Sequence, residues 1–150
     1  MKKYVLDTNI VLRFINPADR QHHLVTEAVA IILANGHECY LLPQILIEFW
    51  VVATRPIDVN GLGWSAEYTR RMIDQLLERF PMAEEYPQIF SRWLALVTAN
   101  QINGKRTHDA RIAAAMLASD IHHILTLNPK DFTGISDIRV THPQEILSSK

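Results

Sequence analysis

Short apolar runs alternate with stretches of helical spacing along this chain, and that alternation restricts the fold more than any other feature. Residues 3–7 form an apolar run that ends in Asp7-Thr8-Asn9, which reads as a buried strand leading into a turn. Residues 10–15 predict a short helix that Asn16-Pro17 stops. Val25, Ala28, Val29, Ile32 and Leu33 predict a helix over 22–35, ended by Asn35-Gly36. A second short strand is predicted over 39–42, and Pro43 then suits the first turn of a helix reaching Thr54.

The middle of the chain is helical by the same reading. Ser65 can cap a helix running to Phe80. Ile89, Phe90, Trp93, Leu94 and Val97 predict a helix over 86–99, and Thr107 can cap one over 108–119. Strands are predicted over 123–127 and 137–141, with a last helical turn over 143–147. Strands alternating with helices imply a parallel sheet covered on both faces. Such sheets gather ligands at the carboxyl ends of their strands. No repeat, low-complexity run or linker divides residues 1–150, so one domain is expected.

Carboxylates stand in places where this pattern does not call for them. Asp7 closes an apolar strand, although a turn or helix cap would also use it. Glu48 lies inside Ile45-Leu46-Ile47-Glu48-Phe49-Trp50-Val51-Val52, a helix apolar all round and therefore expected to be buried. A carboxylate there needs an ion pair, a metal or a rim position, and Arg55 is two turns away. Asp109 opens a predicted helix, where the helix dipole favours an acid, and Ala113-Ala114-Ala115 lets that helix pack closely. Asn128 and Asp131 follow the strand at 123–127, as Asp7 follows the first. Clustered carboxylates select hard cations, Mg²⁺ or Mn²⁺, over zinc.

Other chemistries find less support. His22-His23 and His122-His123 are adjacent pairs without the spacing of a zinc site, and His37 with Cys39 supplies only two ligands. Gly61-Leu62-Gly63 does not follow a strand, so it is no phosphate loop. A dehalogenase-like phosphatase needs a second Asp two residues after the first, and that position is Asn9. Fifteen basic and sixteen acidic residues leave a formal charge of −1, unlike a strongly basic nucleic-acid binder. Two bound divalent cations would carry that to about +3.

Residues 1–7 begin with basic residues, but Asp7 interrupts any apolar signal core, and no 18-residue apolar run predicts a membrane span. The single cysteine, Cys39, reads as a core filler in a reducing, cytoplasmic setting.

Taken in order, these segments resemble PIN-domain nucleases. Asp7-Thr8-Asn9 is similar to the family's opening motif, Glu48 to its second acidic site, and His108-Asp109-Ala110-Arg111-Ile112-Ala113-Ala114 to its third. Thr126-Leu127-Asn128-Pro129-Lys130-Asp131-Phe132 resembles the fourth. Thr54-Arg55-Pro56 with Asn60-Gly61-Leu62-Gly63 looks like a segment of some VapC-like toxins, with no mechanism attached.

The resemblance implies a three-layer α/β/α sandwich with a central parallel sheet. It implies an endoribonuclease in which Asp7, Glu48 and Asp109 bind one or two Mg²⁺ or Mn²⁺ ions and leave a 5′-phosphate and a 3′-hydroxyl. Asn128 stands where many members have an acid, and Asp131 is the substitute. Thr8, Asn9 and Thr126 are expected to support the carboxylates by hydrogen bonds. Arg13, Arg55, Lys105, Arg106, Arg111 and Lys130 are the candidate RNA contacts, and Trp64 the one tryptophan expected to be exposed. An antitoxin partner and a homodimer are further implications of the family. The competing reading is a PIN-like module that binds RNA or protein without cutting.

Overall fold

The computed structural model describes residues 1–149. Four parallel strands lie in the order β2-β1-β3-β4: β1 (Lys3–Leu6), β2 (Glu38–Tyr40), β3 (His123–Leu125) and β4 (Arg139–Thr141). Val5 is paired with Tyr40 on one side and Ile124 on the other, and Ile124 with Val140. The seven α-helices among the described residues are α1 (Thr8–Phe14), α2 (His22–Ala34), α3 (Pro43–Thr54), α4 (Ala66–Arg79), α5 (Gln88–Ala99), α6 (Arg106–Ala118) and α7 (Pro143–Ser148).

Right-handed crossovers put the helices between β1 and β2 on one face and those between β2 and β3 on the other. Thus α2 packs with α7 on one side, while α3 to α6 cover the opposite side. This is the α/β/α sandwich. Val5, Leu6, Ile124 and Leu125 are fully buried between the layers. Beyond β2, Leu41 bridges to Met82 in parallel, so the segment after α4 covers that sheet edge.

The element boundaries shift for local reasons. Helix α1 starts two residues before the predicted position because the Asp7 carboxylate accepts the Thr8 backbone N–H at 2.8 Å and caps it. Helix α6 also starts early. Thr107 lies inside it and is no cap; its hydroxyl turns back to the Gly104 carbonyl at 2.8 Å. Strand β3 ends before residue 127 because the Leu127 N–H is taken by the Asn9 side chain at 3.0 Å.

Helix α3 is not buried all round. Ile45, Leu46, Phe49 and Ala53 face the core, whereas Ile47 is 66% and Val51 53% exposed. Glu48 lies at the border of those two faces, half-buried.

The segment after α3 folds back onto its C-terminus. Leu62 N–H donates to Val52 O at 3.0 Å and Trp64 N–H to Ala53 O at 2.8 Å, which satisfies carbonyls that a helix end leaves open. A Cβ on Gly61 would sit 1.9 Å from the Arg55 carbonyl oxygen. Gly61→Ala is therefore expected to destabilise the fold by about 1–3 kcal/mol through overpacking, read as a lower urea midpoint at unchanged slope. A midpoint equal to the wild type would show that the loop yields at no cost.

Candidate active site

Four chain segments meet at the carboxyl end of the sheet. Asp7 follows β1 directly and is 5% exposed. Its Oδ1 accepts the Thr8 N–H at 2.8 Å, and its Oδ2 accepts the Thr126 hydroxyl at 2.8 Å. Thr126, fully buried after β3, accepts the Asn128 N–H at 3.0 Å and the Asn9 amide at 3.2 Å. Asn9 thereby joins α1 to the exit of β3, since its Oδ1 also accepts Leu127 N–H. The cap reading of Asp7 holds for one oxygen, while the other accepts from Thr126 across the sheet edge.

Glu48 reaches this edge from α3. Thr8 Oγ1 donates to its Oε1 at 2.9 Å, and Gln44 Nε2 donates to its Oε2 at 2.9 Å. Both donors are neutral, so the carboxylate is oriented without being paired to a cation. Asp109 sits in the first turn of α6 and has no hydrogen-bond partner among the described residues. Asp131 lies half-buried in the 3₁₀ turn Pro129–Phe132, while Asn128 is exposed.

The four acids sense one another. Burial is the main cause that pushes Asp7 up to about 6; hydrogen bonds from Thr126 and Thr8 oppose it, and the charges of Glu48 and Asp131 add to it. Burial also leads in raising Asp109 to about 7, followed by Asp131, Asp7 and Glu48, with Arg106 opposing. Asp131, not Asn128, carries the fourth negative charge that both groups feel.

The six candidate RNA-contacting cations divide by environment. Lys105 and Lys130 are exposed. Arg13 donates to Asn9 O at 3.2 Å and lies 3.7 Å from Asp19. Arg106 donates to Thr133 O. Arg111 is held by Gln44 at 3.0 Å and Glu85 at 2.9 Å. Arg55 donates to Asn60 O at 3.1 Å within the fold-back segment, and it stands about 10 Å beyond Glu48 along α3.

The tryptophans differ from their sequence reading. Trp64 is half-buried, edge-on to Phe49 and Tyr68, and Trp50 and Trp93 are half-buried rather than core. Gln44 and Glu85 were not singled out by sequence; Gln44 is four residues before Glu48, one helical turn, which is the signal that could have found it.

Among the described residues, no group of three or more His, Cys, Asp or Glu forms a ready-made metal cage. The donor chemistry nevertheless fits a hydrated hard cation. Neighbouring carboxylates add to the proton affinity of Asp7 and Asp109, and among the described residues no Lys, Arg or His is ion-paired with any of the four acids. Mg²⁺ keeps several waters and needs only one or two direct carboxylates.

A PIN domain family model matches residues 4–136. The chain belongs to the PIN domain family. Solved structures share its fold at low identity. A chain of the VapBC2 complex of Rickettsia felis, bound to a DNA fragment from its promoter, aligns at 21% identity and TM-score 0.68, over 93% of this chain and 98% of that one. A chain of VapBC-1 from nontypeable Haemophilus influenzae aligns at 21% identity and TM-score 0.67, covering 95% and 98%. VapC20 of Mycobacterium tuberculosis, a toxin that cleaves the sarcin–ricin loop, aligns at 15% and 0.56, covering 81% and 86%. Comparison with curated proteins gives no match. In this PIN domain, no helix among the described residues is long and apolar enough to cross a membrane.

Proposed function

We propose that this PIN domain is a metal-dependent endoribonuclease and the toxin of a toxin–antitoxin pair. The observation that carries the reading is the set of mutually repelling carboxylates at the sheet's carboxyl edge, with Asp7 and Asp109 raised to about 6 and 7. Groups perturbed by burial and by named neighbours in this way concentrate at functional sites. Asp7, Glu48, Asp109 and Asp131 would hold one or two Mg²⁺ or Mn²⁺ ions, with Asn128 at the rim.

A divalent ion bound there would supply an activated water and offset charge on the scissile phosphate. The chain's own residues do the rest. Thr8 and Thr126 fix the two oxygens of Asp7, and Thr8 also fixes one oxygen of Glu48. Asp109, whose side chain makes no hydrogen bond among the described residues, is free to hold the ion or to orient the attacking water. Lys105, four residues before Asp109, and Lys130, the residue before Asp131, are both exposed and are the phosphate contacts that give affinity without reading bases.

The fold shared with chains of VapBC complexes supports an antitoxin as partner. A groove of about 670 Å³, lined by Phe14, Val29, Leu33, Arg79 and Phe80, offers a segment of such a partner an apolar seat. Exposed Ile47 and Val51 on α3, with Phe90 and Leu94 on α5, support a homodimer.

Cleavage of structured RNA with Mg²⁺ or Mn²⁺ tests the reading. Wild-type protein is expected to cut, chelator to stop it, and Asp109→Asn to lower the rate by about 100-fold or more. Equal rates for wild type, Asp7→Asn and Asp109→Asn would end the reading of these carboxylates as a metal-nuclease site. RNA binding with no cutting by either would favour the binding module.

A further inference from the structure

The side chain between the two acid-bearing helices is Gln44, in the first turn of α3. Its amide makes three contacts. Nε2 donates to Glu48 Oε2 at 2.9 Å and to the His108 carbonyl at 2.9 Å. Oε1 accepts from Arg111 Nη1 at 3.0 Å. Arg111 is anchored on its far side by Glu85 at 2.9 Å.

This network leaves the amide one orientation. A guanidinium only donates, so the atom facing Arg111 must be the carbonyl oxygen. A flipped amide would set its NH₂ against the guanidinium and its oxygen against a carboxylate and a carbonyl. Arg111 thus selects the rotamer that presents NH₂ to Glu48. The same NH₂ reaches the residue next to Asp109, so one side chain sets both the direction of Glu48 and the gap between α3 and α6.

We propose that Gln44 is a positioning residue for the acidic site, and that Arg111 serves as its brace rather than as an RNA contact. The proposal rests on the reading of Glu48 as part of the metal site. Glu48 has three rotatable side-chain bonds and, among the described residues, two hydrogen-bonding supports, Thr8 and Gln44. An amide suits this task better than a cation. A lysine or arginine placed directly on Glu48 would compete with a divalent ion for the carboxylate. The amide passes on the orientation, while the Arg111 charge is met by Glu85.

The test measures Mn²⁺ affinity by calorimetric titration of the full chain, beside cleavage kinetics. Gln44→Leu keeps the bulk and removes all three contacts. It is expected to weaken Mn²⁺ about 10-fold or more, the range seen when supports of metal ligands are lost, and to lower kcat with KM for RNA unchanged. Arg111→Met is expected to shift Mn²⁺ affinity in the same direction by less, and the double variant to be no worse than Gln44→Leu alone. A merely structural role would lower the melting temperature and leave Mn²⁺ affinity intact.

Wild-type Mn²⁺ affinity in Gln44→Leu would overturn the proposal, and if that variant fails to fold, wild-type affinity in Arg111→Met does so. A raised KM with a shallower salt dependence in Arg111→Met, at unchanged Mn²⁺ affinity, would restore Arg111 as a phosphate contact. Glu48→Gln separates the two levels. If it too keeps wild-type affinity, the metal-site reading fails; if it alone loses affinity, only the role of Gln44 falls.

Discussion

Asp7→Asn is expected to abolish RNA cleavage while leaving the metal-free protein at least as stable as the wild type at pH 7.5. The loss of activity should reach about 1,000-fold, since a charged ligand at the centre of the site is replaced by a neutral one. The stability effect follows from burial. Asp7 is 5% exposed and its carboxyl is raised to about 6, so at pH 7.5 the fold holds an ionised group that would be easier to ionise in the unfolded chain. Removing that charge relieves up to about 3 kcal/mol by linkage.

Part of the gain is lost again. The new amide would point an NH₂ at Thr126 Oγ1, which already accepts from Asn128 N–H and Asn9. A net gain of about 1 kcal/mol is the expected balance. Urea unfolding in chelator measures it, and cleavage assays on the same preparation measure the activity. Undiminished cutting would remove Asp7 from the site. A clear loss of stability would mean that the hydrogen bonds to Thr8 and Thr126 outweigh the buried charge.

The metal-free protein is also expected to lose stability as pH rises from about 5 to 8, and divalent ions to restore it only at the upper end. Asp7 and Asp109 have folded pKa values near 6 and 7, above the ordinary 3.8. Between those limits the native state binds more protons than the unfolded chain, so unfolding becomes easier with rising pH. Their contribution is most favourable below the unfolded pKa and is lost as pH passes through the folded values. Asp109 is partly exposed, so its share is damped by solvent.

Mn²⁺ competes with those protons. At pH 7.5, saturation to about 100 times Kd adds about 2.7 kcal/mol, whereas at pH 5 Asp7 and Asp109 are held by protons and the ion adds less. Calorimetric melting across pH, with chelator and with Mn²⁺, reads both effects. A melting temperature that climbs steadily from pH 5 to 8 in chelator would contradict the raised carboxyls. Equal stabilisation by Mn²⁺ at both ends would place the ion elsewhere.

How much was legible depended on how local the cause was. The strands at Lys3–Leu6 and His123–Leu125 follow from apolar runs closed by turn formers, and their parallel pairing follows from the helices between them. Asp7 and Asp109 stood out because each occupies an element end, where sheet logic puts ligands. Glu48 stood out for a reason that proved only half right. Its helix is apolar around its circumference, yet Ile47 and Val51 face outward, so Glu48 is at a border and not deep in the core.

Gln44 and Arg111 were harder. A glutamine one turn before an acid is ordinary on any helix, and Arg111 reads as a surface charge until Glu85 is known to lie beside it. That proximity depends on the covering segment after α4, which pairs at Leu41↔Met82.

By itself the sequence determined the layered parallel fold and which acids stand at strand and helix ends, because periodicity, caps and turn residues act within a few positions of each other. Only the tertiary structure decided how strongly Asp7 and Asp109 hold protons, that Asp131 lies close enough to add its charge to both, and that Arg55 and Arg111 donate hydrogen bonds within the fold. These properties arise from burial and from charges brought together by residues far apart in the chain, as Asp7 and Thr126 are. Electrostatic energy depends on distance and solvent exposure in space, and neither is written in the local order of residues.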